Sequence, residues 1–503
     1  MRVLRACREL GAGAVAVYSE ADRAALHVRL ADEAYGIGAA PSRESYLAID
    51  KILTVAEKAG CDAVHPGYGF LAENPAFARA CKAAGICFIG PSAEAMEKLG
   101  SKTAARHIAM KEGVPMVPGT IDPIEELDTA MKTADRMGYP VVLKAVAGGG
   151  GKGMRRIESE ADFAAAWRDA RSEAQNAFGD SRVYLEKFVA RPRHVEIQIL
   201  GDEHGNLLYL GERECSIQRR YQKVIEEAPS PIMTVELRRA MGDAAVKLAR
   251  AGGYANAGTV EFLVDGDKKF YFLEMNTRLQ VEHPVTEMVT SLDLVKLQIR
   301  IAAGEPIPFR QEDVALRGHA IECRIYAEDP ENNFFPSPGK VLDRRTPAGP
   351  GIRLDDSIYS GWTVPNEYDP LLGKLIAWGG DRSEAIARLR RALEEYYASG
   401  IQTNVGLFQK ILASRDFQSG EIYTRWLDEF LSKPPERDLG HAQKAVKKER
   451  GSNAEVAAMI AAALWQSAST GGNGAAPAIP EAASESRWKM NARREQVERQ
   501  PPR

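Results

Sequence analysis

Between Phe270 and Glu282 the chain reads Phe-Tyr-Phe-Leu-Glu-Met-Asn-Thr-Arg-Leu-Gln-Val-Glu, and every even position from 274 onward is polar. Glu274, Asn276, Arg278, Gln280 and Glu282 are interleaved with the apolar Leu273, Met275, Leu279 and Val281. If extended, the segment sends these five polar side chains to one face, since successive strand residues point to opposite sides. A merely solvated face seldom combines two acids, an amide, an Arg and a Gln with Phe270 and Phe272. Upstream, Asp265-Gly-Asp-Lys268 joins the strand Thr259–Val264 to this one as a hairpin. A two- or four-residue loop pairs Glu261 with Phe272 and leaves Glu261 diagonal to Glu274, about 7 Å apart at Cα. A three-residue loop would turn Glu261 to the other face. Two carboxylates and the Asn276 amide form a hard oxygen set suited to Mg²⁺, an ion that nucleotide phosphates also hold.

A second group handles anions. Lys144 ends an apolar strand, and Gly148-Gly149-Gly150-Gly151-Lys152-Gly153 follows. Consecutive glycines let backbone amides approach anionic oxygens, and lysines neutralise phosphate charge. The spacing is neither a Walker loop nor a dinucleotide fingerprint, and a flexible surface turn is the competing reading. Lys102 opens a helix, where its charge opposes the dipole. His194, Glu196 and Gln198 share one strand face, and Glu322, Arg324 and Tyr326 share another; either set alone is more often an ordinary half-exposed strand. Cys215-Ser-Ile-Gln-Arg-Arg-Tyr-Gln-Lys223, beside Glu226-Glu227, packs three cations and two glutamines into an anion-handling loop or a surface salt-bridge cluster.

The elements that must position these residues are α/β. Helix Val3–Leu10, strand Ala14–Tyr18, helix Ser45–Ala59 and strands Ala63–His65 and Ile86–Ile89 alternate as in a parallel sheet with crossover helices. A helix capped by Ser101 runs to Glu112. Strand Tyr139–Val146, helix Asp162–Phe178 and strands Val183–Val189 and His194–Leu200 form a sheet-rich insert. Helix Val235–Ala251 precedes the hairpin, and a helix from Ser383, its N-cap, runs to Ser399 before Gly400. With 66 Lys+Arg against 69 Asp+Glu over 503 residues, the net charge of −3 argues against a dedicated nucleic-acid binder. No apolar stretch reaches membrane-span length, and the six cysteines are scattered without zinc or disulfide spacing, as in a reduced cytoplasmic enzyme.

On these residues the sequence strongly resembles biotin carboxylase, the ATP-grasp component of acetyl-CoA, propionyl-CoA and pyruvate carboxylases. The motifs are HPGYGFLAEN (65–74), KAVAGGGGKGM (144–154), RPRHVEIQ (191–198), ERECSIQRRYQKVIEEAP (212–229), EMNTRLQVEHPVTE (274–287) and GHAIECRIYAEDP (318–330). The resemblance implies an N-terminal parallel-sheet (Rossmann-like) domain over 1–100, an ATP-grasp domain over 101–305 with its lid at about 116–190, and a C-terminal α+β domain over 306–433. ATP is then expected on Lys102, Lys144, Gly150, Gly151, the adenine edge Glu186, Lys187, Phe188 and Val189, His194 and Gln218, with Mg²⁺ or Mn²⁺ on Glu261, Glu274 and Asn276. Bicarbonate is expected on Lys223, Arg278, the backbone at Val281, and Glu282, the base; Arg324 faces the ureido ring of biotin. The nearest rival is another bicarbonate-activating ATP-grasp ligase of the carbamoyl-phosphate type.

Three departures accompany the resemblance. The chain starts at the helix that follows the family's opening strand, Tyr221 stands where many members carry His, and no biotin-accepting Met-Lys-Met loop is present. Biotin is therefore expected on a separate carrier protein, with carboxyltransferase subunits as further partners and a homodimer as the assembly. Residues 434–503 read as a tail. Ala454–Trp465 aligns Val456, Met459, Ile460, Ala463 and Leu464 on one helical face, suited to a partner's groove.

Overall fold

The computed structural model describes residues 1–120, 122–146 and 153–432. Gly148 to Lys152, including the expected phosphate contacts Gly150 and Gly151, and the tail from 433, including Ala454–Trp465, lie outside the described residues. Residues Met1–Ser432 form one unit.

The first hundred residues build two parallel strand pairs flanked by helices: α1 (Arg2–Leu10), β1 (Val15–Ser19), α2 (Leu26–Leu30), β2 (Glu33–Gly38), α3 (Ile49–Lys58), β3 (Ala63–Val64), α4 (Pro75–Ala83), β4 (Cys87–Phe88) and α5 (Ala93–Leu99). β1 pairs with β2 and β3 with β4, both in parallel. β2 was not foreseen, since Glu-Ala-Tyr-Gly-Ile-Gly offers neither alternation nor a β-branched run. α3 starts four residues later than expected because Ser45 is drawn into a turn, its hydroxyl donating to the Pro41 carbonyl.

Ser101 caps α6 (Lys102–Lys111) as its sequence predicts, accepting from the Ala104 amide. The segment expected to be the lid follows: α7 (Leu127–Met137), β5 (Val141–Ala145), β6 (Met154–Ile157), α8 (Glu160–Phe178) and β7 (Val183–Lys187), with the three strands in the order β6-β5-β7. Val141, Leu143, Ile157, Phe163, Trp167 and Leu185 form its own apolar core. Gly153, at the far end of the glycine run, has φ 74°, and a Cβ there would meet the Ala145 methyl at 2.8 Å.

The rest is organised on one antiparallel sheet of eight strands. It runs β12 (Phe270–Asn276), β11 (Asn256–Val264), β8 (Arg193–Gly201), β9 (Leu207–Arg219), β10 (Gln222–Ala228), β13 (His319–Tyr326), then strands Leu371–Gly379 and Ile352–Asp356. The β10–β13 ladder, with Glu226 opposite Glu322, carries this sheet across the 305/306 division expected between separate parts. On one face Val195, Ile197, Val260, Phe262 and Val264 pack with α6 and α9 (Val235–Ala251). On the other, polar side chains are buried under α10 (His283–Thr290) and the turn that leads into it.

Two local expectations are corrected. The hairpin loop is five residues, with Val264 opposite Phe270, which by itself would put Glu261 and Glu274 on opposite faces. A β-bulge between Phe262 and Glu261 restores them, so Glu261 lies directly opposite Glu274 rather than diagonal to it. The 270–282 segment is extended only to Asn276; Glu282 arrives through a turn and precedes α10. Further on, the helix Arg382–Glu395 is capped by Asp381, not Ser383, because the Asp381 carboxylate accepts the Glu384 amide at 2.8 Å.

Candidate active site

The site is built around one ammonium. Lys223, at the start of β10, donates to Glu196 on β8 at 2.5 Å, to Glu261 on β11 at 2.8 Å and to Glu282 at 2.7 Å. It follows a tight turn in which Arg220 and Tyr221 have φ 49° and 67°, with Tyr221 exposed at the tip. A register shift between Lys223 and Ile225 then lets both Lys223 and Glu226 reach the polar face. Arg324 on β13 closes the group, donating from Nε to Glu226 at 2.6 Å and from Nη2 to Glu282 at 2.9 Å. Glu282 is therefore gripped by two cations from different strands.

Electrostatics follow from that geometry. Burial works against the Glu282 charge, but Lys223, Arg324 and Arg213 outweigh it and hold the carboxyl far below the ordinary range. Glu261 is likewise buried and held well below by Lys223 and His194. Burial would discharge Lys223, yet Glu196, Glu261 and Glu282 keep its ammonium well above the usual value. Under them Arg213, fully buried, donates to Glu196, Gln198, Thr259, Gln280 and Thr286 at 2.5–3.0 Å. That network fixes the floor of the site, because a guanidinium satisfied on every side leaves its partners one arrangement.

Lys223→Met is expected to lower stability by about 3–5 kcal/mol, the cost of leaving buried carboxylates without their cation. Without Lys223, Glu261 and Glu282 lose the foremost cation that holds their carboxyls down, and burial pushes both upward. Their destabilisation is then full above the raised values and relieved as they protonate, so melting curves should show a smaller deficit near about pH 5 than near about pH 8.

The other expected residues connect outward. His194 contacts Glu261 at 3.0 Å and its ring shares a 2.7 Å bond with Gln218. Asn276 and Gln280 each donate to Glu261 at 2.8 Å. Arg278 reaches Asn276 at 3.3 Å and Glu73 of the N-terminal region at 2.9 Å. Lys102 stands 3.4 Å from Glu274, and Arg106, one turn on along α6, pairs with Glu186 of the lid, as does Lys144. These cations hold the buried Glu186 ionised against the effect of burial. Val281 is half-buried in the turn and its carbonyl accepts from Lys374.

Lys187 is not brought into the group. The pleat turns it to the face opposite Glu186, and its ammonium is bound by the carbonyls of Gly138 and Tyr139 at 2.7 and 3.1 Å. The Phe188 ring lies under the Arg156 guanidinium, and Val189 is half-buried.

Glu261, Glu274 and Asn276 present the hard oxygens that a divalent cation needs, two of them from residues directly opposite across the hairpin. His194, Glu196 and Glu261 also offer ligand atoms within 4.8 Å of one another, but Lys223 already bonds two of the three, so protein charge occupies that position. Arg213, Glu226 and Lys374 were missed. Each lies on a strand whose partner across the sheet could not be known from spacing, though Glu226 stood in plain view beside Lys223.

A central sheet carrying buried acids, linked through α6 to a three-stranded lid with its own lysine, defines an ATP-grasp enzyme. Comparisons specify it further. Residues 1–96 match the biotin carboxylase N-terminal domain, 101–310 the ATP-binding domain of the carbamoyl-phosphate synthase L chain, and 322–429 the biotin carboxylase C-terminal domain. A pyruvate carboxylase subunit of Methanothermobacter thermautotrophicus is 54% identical over 431 residues, 86% of this chain and 87% of the relative. Biotin carboxylase 1 of Bacillus subtilis is 51% identical, covering 86% and 96%. Among solved structures, the Campylobacter jejuni biotin carboxylase superposes with a TM-score of 0.81 at 46% identity, over 85% of this chain and 96% of the other. The biotin carboxylase domain dimer of Hydrogenobacter thermophilus 2-oxoglutarate carboxylase, solved with MgADP, ADP and bicarbonate, gives 0.80 at 47% over 85% and 94%. The chain belongs to the biotin carboxylase family.

Proposed function

We propose that this chain carboxylates biotin on a separate carrier protein, using ATP and bicarbonate through carboxyphosphate, as the first half-reaction of an acyl-CoA or pyruvate carboxylase. The observation that carries the reading is the convergence of Lys223 and Arg324 on Glu282 beside the Glu261–Glu274 pair. A base between two cations suits an anionic substrate that must lose a proton, and phosphoryl transfer needs cations around developing charge. Lys102, Lys144, Gly150 and Gly151 would hold the phosphates, the Glu186–Val189 edge the adenine, and His194 and Gln218 the rest of the nucleotide. Mg²⁺ or Mn²⁺ would be held by Glu261, Glu274 and Asn276 and supply neutralising charge at the phosphates.

Bicarbonate would displace the Glu282 carboxylate from part of its hold on Lys223, with Arg278 and the Val281 backbone completing its site. Losing that cation raises the proton affinity of the buried Glu282, making it a stronger base when substrate arrives. Glu282 takes the bicarbonate proton, and the freed oxygen attacks the γ-phosphorus while the bond to ADP breaks. Carboxyphosphate then yields CO₂ and phosphate. The phosphate removes the N1′ proton of biotin, the nitrogen attacks CO₂, and Arg324 balances the negative ureido oxygen.

The test is phosphate release by the purified chain. Bicarbonate-dependent hydrolysis stimulated by free biotin supports the reading; bicarbonate dependence with no response to biotin favours the carbamoyl-phosphate type of ligase instead. The partners proposed are a biotin carrier and carboxyltransferase subunits, which would select the acceptor, with the chain itself a homodimer in the cytoplasm. Among the described residues no helix is long and apolar enough to cross a membrane. The tail is assigned to partner docking: deleting 436–503 should leave carboxylation of free biotin unchanged and weaken co-purification with the partners. Unchanged assembly would overturn that assignment.

A further inference from the structure

Beneath the turn that delivers Glu282 lies a lysine with an unusual choice of partner. Lys374, on strand Leu371–Gly379, is 3% exposed, and its ammonium donates to the Val281 carbonyl at 2.6 Å. Taking an ammonium out of water is costly and is ordinarily offset by a carboxylate in contact. Here Asp355 stands 4.0 Å away with its two oxygens bound by Arg353 at 3.0 and 2.7 Å. The shortest bond of this buried cation goes to a neutral peptide oxygen.

The neighbours leave that charge free to act there. Glu322, on adjacent β13, is completely buried and neither carboxyl oxygen has a hydrogen-bond partner. Burial pushes its pKa well above the carboxylate range, with Lys374 opposing first, so it stays largely neutral and does not cancel the ammonium. Buried His283 is kept neutral by burial and then by Lys374, its Nδ1 bonded to the Gln280 carbonyl at 2.8 Å. The Tyr68 ring lies 5.6 Å from the ammonium. The Val281 carbonyl belongs to the planar peptide whose nitrogen is that of Glu282, so fixing its oxygen fixes the plane from which the Glu282 side chain departs.

We propose that Lys374 is a positioning residue for bicarbonate: through the Val281 carbonyl it sets the peptide that aims Glu282 between Lys223 and Arg324. This rests on the assignment of bicarbonate to Lys223, Arg278, Val281 and Glu282. A displacement of about 1 Å at such a group costs on the order of 10²-fold in rate or affinity. The experiment measures ATP hydrolysis by full-length wild type, Lys374→Met and Lys374→Arg, varying bicarbonate and ATP separately, with melting curves for each. Lys374→Met should raise the KM for bicarbonate by about tenfold or more, the range of a charge-assisted hydrogen bond, with the KM for ATP unchanged. Lys374→Arg, which keeps a charged donor, should recover part of that loss. A bicarbonate KM equal to wild type in Lys374→Met overturns the proposal. So does a parallel loss for both substrates with a lowered melting temperature and no recovery in Lys374→Arg. Wild type lacking bicarbonate dependence would instead overturn the bicarbonate assignment beneath it.

Discussion

Replacing Glu282 with Gln is expected to lower bicarbonate-dependent ATP hydrolysis and biotin carboxylation together by about 10²–10⁴-fold, the usual span for a lost general base. ATP affinity should scarcely change. Glu282 contacts Lys223 and Arg324, not Lys102 or Lys144, so its removal leaves the cations assigned to the phosphates in place. Gln is nearly isosteric, and its single amide oxygen can still accept from one of the two cations, Lys223 or Arg324, which helps to hold the turn into α10. What it lacks is a site for the bicarbonate proton. Steady-state kinetics at varied ATP check this; comparable loss of ATP affinity would place Glu282 in the nucleotide site.

Arg324→Ala should cut biotin carboxylation by about 10²–10³-fold, the scale for losing one charged donor at a developing oxyanion. Arg324 also donates to Glu282 at 2.9 Å, so bicarbonate-dependent hydrolysis should fall too, by a clearly smaller factor. The separate strand on which Arg324 sits points to a far larger effect on biotin carboxylation than on hydrolysis, and the shared carboxylate shows why the split cannot be complete. Truncation also leaves Glu226 buried without its cation. Glu226 is pushed up to about 7 by burial with Arg324 opposing, and removing Arg324 drives it further toward the neutral acid. Measuring phosphate release and carboxybiotin on the same preparation separates the two activities, and equal loss of both would remove the biotin-specific role.

Much of the site was visible in residue types. Period-two polarity singled out Glu274, Asn276, Arg278, Gln280 and Glu282, and a set of two acids, an amide and an arginine names its own chemistry. Yet Glu282 reaches the site through a turn rather than a strand face, and Glu261 meets Glu274 through a five-residue loop corrected by a bulge. Two departures from the expected register cancelled. Spacing along one strand cannot reveal them, because loop length and bulge are set by how the hairpin packs against its neighbours.

Local order was determined by the sequence itself. Apolar periodicity and caps such as Ser101 place the helices, alternation places the strands, and the motifs carry the family, because each depends on residues within a few positions of one another. Only the tertiary structure decided how charge is balanced. Lys223 is 27 residues from Glu196, 38 from Glu261 and 59 from Glu282, yet holds all three. Lys374 reaches Val281 across 93 positions. Whether a buried carboxylate is a base, a cation ligand or a neutral acid depends on which charges lie within a few ångströms. Strand order, not spacing, brings those charges together.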